Sequence, residues 1–373
     1  MSPLITSTRF SLLDRSRTRE GYDGPAALRD TVALAVEAEA LGYHRFWVSE
    51  HHSVPGVAGS APTVLAAAVA AATSTVRVGT GGVMLPNHRP FVVAEQFGVL
   101  ESLFPGRIDM GLGRSVGFTD AVRGALGRGK EDAEDFAGQL AELLGWLDGT
   151  QRDHPHVHAR PAEGLRIPAY VLAIGEGAAV AAAAGLPLVV GDLRDRPKLL
   201  RAVERYRREF RPSARNAHPY VVVSGSVAVA GSPEEARRLL MPESWSMAYS
   251  RTHGIFPPLA PPERIEALVP AMTGRERDLY ERGLRGGVQG TEEQVAGELE
   301  AVVAATGADE VLVTTSTYDR EALVDSLRRL ARLAGLADGR GTPEVRAVPG
   351  DARPGGGPPA STPLPGDRHR SQR

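Results

Sequence analysis

Along most of the 373 residues, short runs of alternating apolar and polar positions are interleaved with longer stretches whose apolar positions fall three and four residues apart. The short runs predict strands at Arg9 to Leu13, Arg45 to Ser49, Val76 to Thr80, Ile108 to Leu112, Ala169 to Ala173, Leu188 to Val190, Val221 to Val229 and Glu310 to Thr314. Between and after them the longer period predicts helices at Pro25 to Leu41, Ala61 to Ala72, Pro90 to Leu103, Glu131 to Leu147, Gly177 to Ala184, Arg196 to Phe210, Pro233 to Leu240, Glu292 to Thr306 and Arg320 to Leu333. The first helix illustrates the reasoning: Leu28, Val32, Ala35, Val36, Ala38 and Leu41 put apolar groups at mixed three- and four-residue spacings, and Gly42 follows as a C-terminal cap. Eight strands alternating with helices predict a mixed α/β fold, a closed (β/α)8 TIM barrel, over residues 1–337.

Two segments break the alternation. Thr150 to Glu163, with His154, His156 and His158, reads as an extended excursion before the fifth strand. Pro242 to Gly290 is too long for an ordinary connection and predicts an insertion over one barrel face, ahead of the last helix–strand unit. From Asp338 to Arg373 there are seven glycines and seven prolines in 36 residues and almost no large apolar side chains. That composition predicts a disordered tail, residues 338–373, outside the barrel domain.

Composition narrows the chemistry. With 42% hydrophobic residues and a net charge of −2, nothing favours a nucleic acid or an anionic membrane as partner. The absence of cysteine excludes disulfides, thiolate metal sites and cysteine nucleophiles. No charged leader precedes a long apolar run, and nowhere do about 18 apolar residues follow one another, so a cytoplasmic protein is expected.

The candidate chemistry sits where strands end. In FWVSEHH, alternation sends Trp47, Ser49 and His51 to one side and Phe46 and Val48 to the greasier, helix-facing side, so His51 is expected in the barrel mouth, where it could donate a hydrogen bond or move a proton. The bland alternative is a strand-end histidine bonded to nearby backbone. Glu50, His51 and His52 diverge along the strand and lack the spacing of a metal site. Gly79, Gly81 and Gly82 end the third strand, where missing side chains permit close approach of a flat ring or simply satisfy a tight turn. In RIDMGLGR, Arg107 and Asp109 suggest an ion pair low in the barrel. Arg114, at the end of the strand, has a guanidinium able to grip a phosphate with two bonds. Gly111, Gly113 and Gly117 do not fit a dinucleotide fingerprint. After the fifth strand, Ile174, Gly175, Glu176 and Gly177 lead into an alanine-rich helix whose free amides could meet an anion, with the Glu176 side chain turned outward. No GxSxG element occurs, and the three alternating histidines read as a solvated loop rather than a metal site.

Taken together, FWVSEHH, GTGGVMLPNHRP, VAEQFGVLESLFPGRIDMGLGRSVGF and the late GTEEQVAGELEAVVAATGADEVLVTTSTYDR resemble the bacterial luciferase-like monooxygenases, and most closely their FMN-dependent branch that acts without a paired β chain. The resemblance covers Phe10 to Leu333. It implies reduced FMN at the C-terminal face of the barrel, delivered by a separate flavin reductase, and reaction with O2 through a flavin hydroperoxide to oxidise a small aldehyde, ketone or related substrate. On the same footing it implies that His51 contacts the flavin and assists proton transfer, and that Thr80, Gly81 and Gly82 lie by the ring, with a cis peptide between the two glycines. Arg114 would bind phosphate, and Ile174 to Gly177 would stand in the place of a second phosphate loop. The insertion residues Trp245, Tyr249, His253 and Phe256 are then candidates for a substrate lid, or for an aromatic cluster that packs the insertion. A homodimer is the expected assembly. Two features depart from the light-emitting relatives: Gly113 replaces a cysteine, and Gly175, Glu176 and Gly177 stand where their phosphate loop carries hydroxyl residues, so light emission is not expected. The resemblance also admits a deazaflavin-dependent oxidoreductase or a flavin-binding barrel without catalysis.

Overall fold

A computed structural model describes residues 3–336 apart from Ile174, Glu176, Asp192 and Arg194. The predicted tail, and two residues of the proposed phosphate loop, lie outside this set. Eight parallel strands form the barrel: β1 (Arg9–Asp14), β2 (Arg45–Val48), β3 (Arg77–Thr80), β4 (Ile108–Gly113), β5 (Ala169–Leu172), β6 (Leu188–Gly191), β7 (Val221–Gly225) and β8 (Glu310–Val313). Neighbours pair in chain order, β8 returns to β1 through Arg9↔Glu310, and every register is parallel. The fold is a (β/α)8 barrel, with all strand C-termini at one end.

The period-two pattern explains the layers. Phe46 and Val48 of β2, with Ile108, Met110 and Leu112 of β4, face outward into the main core shared with the helices. Trp47, with Leu13, Tyr170, Val189, Tyr220, Val222 and Leu312, fills the interior as a separate cluster. The helices named below are α1 (Gly24–Ala40), α2 (Pro62–Ala72), α3 (Pro90–Leu103), α4 (Phe136–Asp148), α5 (Gly177–Ala183), α6 (Arg196–Glu209), α7 (Pro233–His253), α8 (Glu292–Thr306) and α9 (Arg320–Ala334). Their limits follow local capping chemistry: α8 begins with a Thr291–Gln294 capping box and ends at Gly307, whose φ of 56° a glycine adopts without steric cost.

At the N-terminal end the barrel is plugged by charge. Asp109 accepts hydrogen bonds from Arg45 Nη1 at 2.7 Å, Arg77 Nη2 at 2.7 Å and Trp47 Nε1 at 3.2 Å. Glu310 accepts from Arg45 Nε at 3.1 Å and the Tyr220 hydroxyl at 2.8 Å. Burial alone would raise the Asp109 carboxyl, but Arg45 and Arg77 outweigh it and hold the group below its usual range.

Three expectations need correction. Arg107 does not pair with Asp109. It precedes β4, so strand alternation does not reach it, and its guanidinium donates to the Ala70 and Thr73 carbonyls at the C-terminal end of α2. Val221 to Val229 is not one strand: β7 ends at Gly225, and Val227–Val229 pairs in parallel with Val288–Gly290 outside the barrel. Pro242 does not open the insertion either, because α7 runs through it to His253. Proline removes one backbone donor, but Leu239, Leu240, Met241, Trp245 and Ala248 pack with Ile265, Tyr280 and Leu284 into the insertion's own core and hold the helix together.

Candidate active site

Since all eight strands point one way, the residues that follow them gather on a single rim: Arg15 to Arg17 after β1, Ser49 to His52 after β2, Gly81 and Gly82 after β3, Arg114 after β4, and Gly175 and Gly177 after β5. The glycines divide by purpose. A Cβ on Gly82 would stand 2.7 Å from the Gly111 carbonyl oxygen, so that glycine lets β3 and β4 approach. A Cβ on Gly81 would instead meet Leu13 Cδ1 at 2.7 Å and Trp47 Cε3 at 3.2 Å, on the floor of the mouth. The Gly81–Gly82 peptide is cis. Thr80 is fully buried; its hydroxyl donates to the Gly111 carbonyl at 2.8 Å and accepts from the Gly111 amide at 3.2 Å, leaving only its main chain for a ligand.

His51 is anchored through its amide to the Gly59 carbonyl at 2.8 Å, and its Nδ1 lies 3.3 Å from Ser49 Oγ. Its Nε2 makes no hydrogen bond among the described residues. Burial, reinforced by the nearby Arg15 and Arg17 guanidinium groups, lowers the imidazole to about 4. The ring is therefore neutral at physiological pH, with one nitrogen able to donate and the other to accept.

Next to it, Glu50 organises the segment that follows the glycines. Its carboxylate accepts from the Met84 amide at 2.9 Å and Asn87 Nδ2 at 2.9 Å, and lies 2.9 Å from His88 Nε2 and 2.8 Å from His52 Nε2. Burial would raise this carboxyl; the bonds from His88, Asn87 and Met84 prevail and lower it. Glu50 thus ties His52 to the Val83–His88 stretch. Among the described residues no group of three or more histidine, aspartate and glutamate side chains is placed to hold a metal ion. His158 faces Glu163, and His154 stacks on Trp146.

Arg114 is exposed and makes no hydrogen bond or ion pair among the described residues. Gly175 has a φ of 76° and open space around it. The side chains of Ile174 and Glu176 lie outside the described set. A bare glycine floor, a free guanidinium on the rim and an imidazole with a free Nε2 fit a flat cofactor that carries an anionic tail.

The insertion closes over part of this mouth. Trp245 is buried in the insertion core and packs against Tyr249, on which His253 stacks at 4.0 Å between ring centroids. Phe256 lies under the Arg17 guanidinium, 4.6 Å from its centroid. Of the four candidate lid residues, Trp245 therefore supports the others from within, and Phe256 is the one tied to the strand-end residues. Arg15, Arg17, Glu243 and Ser246 were not singled out from the sequence. The two arginines follow the C-terminal end of β1, and the rule applied to the next three strands would have found them.

A profile of the luciferase-like monooxygenases matches residues 8–310. The chain belongs to that family. A luciferase-like monooxygenase of Escherichia coli (strain K12) is 37% identical over 321 residues, covering 85% of this chain and 94% of the relative. Among solved structures, apo-MsnO8 is 28% identical with a TM-score of 0.78, covering 89% of this chain and 99% of its own. The oxygenating constituent of 3,6-diketocamphane monooxygenase from Pseudomonas putida, a type II Baeyer–Villiger monooxygenase solved in complex with FMN, has the same fold at 19% identity and a TM-score of 0.68, with 88% and 98% covered. As a luciferase-like monooxygenase the chain is an oxidoreductase enzyme. No helix among the described residues is long and apolar enough to cross a membrane.

Proposed function

We propose that this luciferase-like monooxygenase uses reduced FMN and O2 to oxidise a small organic substrate, an aldehyde, ketone or related compound. The observation that carries the reading is the open step at Gly81 and Gly82 between His51 and Arg114 on one rim. When bound, reduced FMN supplies two electrons and two protons, so that one oxygen atom enters the substrate and the other leaves as water. The main chain of Thr80, Gly81 and Gly82 would support the ring, and the Arg114 guanidinium would pair with the phosphate. Gly175 and Gly177 would offer backbone to the same tail. His51 would hold or move a proton through Nε2. The insertion, through Tyr249, His253 and Phe256 with Trp245 behind them, would cover the substrate and exclude water. A separate flavin reductase in the cytoplasm would supply the reduced cofactor, in keeping with the absence of a dinucleotide fingerprint around Gly111 and Gly113.

A homodimer completes the reading. Helix α2 carries no charged residue, Val64 on it is 70% exposed, and Val92, Val99 and Leu103 on the neighbouring α3 are exposed as well. Such a contiguous apolar face suits a second copy of the chain.

The test is anaerobic titration of the purified protein with reduced FMN, followed by mixing with O2 while the flavin spectrum is recorded. A transient species distinct from both reduced and oxidised FMN, whose decay quickens with a carbonyl substrate, is expected. Binding of reduced deazaflavin in preference to FMN, without oxygen dependence, would replace the reading with a deazaflavin oxidoreductase. Immediate return to oxidised FMN, with no substrate turned over, would reduce it to a flavin-binding barrel.

A further inference from the structure

The wall of the mouth beside His51 holds more positive than negative charge. Arg17 is only 2% exposed, yet its hydrogen bonds go to neutral groups: Nη2 donates to Ser246 Oγ at 2.6 Å and to the Pro257 carbonyl at 3.3 Å. Its Nε is buried without a partner. Arg15, whose side chain is 22% exposed, pairs with Glu243 at 2.5 Å, and its Nε is likewise unpartnered; the neighbouring Asp14 carboxylate is engaged by the Ser16 amide, Thr31 and Arg320. The Glu50 carboxylate is already engaged by Met84, Asn87, His88 and His52. Arg45 provides the contrast within the same molecule: fully buried at the other end of the barrel, it has both Asp109 and Glu310. Buried guanidinium groups are ordinarily paired in that way, because removing the charge from water is costly. Consistent with the difference, Arg45 is held well above its ordinary value, whereas burial lowers Arg17 to about 10 despite Glu243.

We infer that Arg15 and Arg17 form an anion-recognition site for the substrate, and that the substrate class is a small organic monoanion, a carboxylate carried beside the oxidisable carbon. The site has two guanidinium groups and one carboxylate, so a single negative charge balances it. Arg15 is half-buried and Arg17 lies deeper, against Phe256, whose ring supplies an apolar surface for the rest of a small acid. The location separates this site from the proposed cofactor phosphate: Arg114 follows β4, three strands around the barrel from β1. This inference deepens the proposed function and rests on it for the word substrate. The anion site itself can be read without any flavin.

The experiment compares hexanoate with hexanamide, equal in length but differing in charge, by calorimetric titration and by thermal midpoint of the full-length protein, with and without FMN. A ligand that binds only the folded state raises the midpoint. Hexanoate is expected to bind and stabilise the wild type, hexanamide is not, and Arg17→Met should weaken hexanoate by about tenfold or more, the loss of one charged hydrogen bond. Arg114→Ala should leave hexanoate binding intact. Equal responses to the two probes, no response to hexanoate at its solubility limit, or an unchanged response in Arg17→Met would overturn the inference. If Arg17→Met does not fold, Arg17→Lys replaces it, with hexanoate weakened but still preferred to hexanamide, and the wild-type comparison remains decisive on its own. FMN binding measured on the same samples separates the two readings: loss of FMN binding with hexanoate preference retained refutes the cofactor and leaves the anion site standing.

Discussion

Replacing Arg114 with alanine isolates one interaction with unusual cleanness. The side chain is exposed and makes no hydrogen bond or ion pair among the described residues, so its removal should change folding stability by less than about 0.5 kcal/mol. If it holds the FMN phosphate, the loss is that of a charge-assisted contact at a partly solvated site, about 1.5–3 kcal/mol. That corresponds to a dissociation constant for FMN about ten to a hundred times larger. Riboflavin has the same ring and no phosphate, and should bind wild type and Arg114→Ala alike. Quenching of flavin fluorescence on titration with each protein reads both constants, and the wild-type preference for FMN over riboflavin should shrink as salt is raised. If riboflavin is weakened as much as FMN, Arg114 acts through the shape of the mouth and the phosphate reasoning is wrong.

Other consequences can be checked independently. His51→Ala should leave FMN affinity intact and slow substrate oxidation by about 10²–10⁴-fold, the usual worth of a positioned proton-transfer group; unchanged turnover in a stopped-flow assay would remove it from the chemistry. The same histidine, lowered to about 4 in the folded protein by burial and then by Arg15 and Arg17, stays neutral while the unfolded chain takes up a proton near its ordinary value of about 6.5. Its contribution is therefore fully present above about pH 6.5 and is lost as pH falls toward 4. Urea unfolding across that window should show wild type losing more stability than His51→Gln, and parallel curves would refute the point. Asp109→Ala strands Arg77 and half-strands Arg45 at the closed end of the barrel and should cost about 3–5 kcal/mol; a loss below about 1 kcal/mol by urea titration would show that solvent reaches them. Val64→Glu places a charge on the uncharged face of α2; if the proposed dimer forms there, light scattering should find a dimer for the wild type and a monomer for the variant, and equal masses would refute it.

Much of the barrel was legible because its period-two signal is a direct consequence of a strand with a filled interior and a greasy exterior. Trp47 inside and Phe46 and Val48 outside follow from that alone. The positions of His51, Gly81 and Arg114 followed from a single rule about strand ends. Partner choice was not legible. Asp109 could pair with whichever cation lay near, and only the register of β2 and β3 against β4 places Arg45 and Arg77 beside it while Arg107 turns away to a helix end. The continuity of α7 past Pro242 was hidden for a related reason. A proline is a local signal against a helix, and the packing that overrides it comes from residues 23 to 42 positions later, Ile265, Tyr280 and Leu284. Arg15 and Arg17 could have been placed on the rim by the same rule, since they follow β1; what the sequence did not show was which acids accompany them.

The short parallel pairing of Val227–Val229 with Val288–Gly290 has a bearing on how such an enzyme changes over time. It brings the chain's departure from the barrel and its return to adjacent positions, and the segment between them, centred on α7, builds a nucleus of its own around Trp245 and Tyr280. The protein is thus a fixed chassis with an exchangeable cassette. Changes within residues 230–287 would reach what sits above the rim, the partners of Arg15 and Arg17 included, without touching the pairing of β1 to β8.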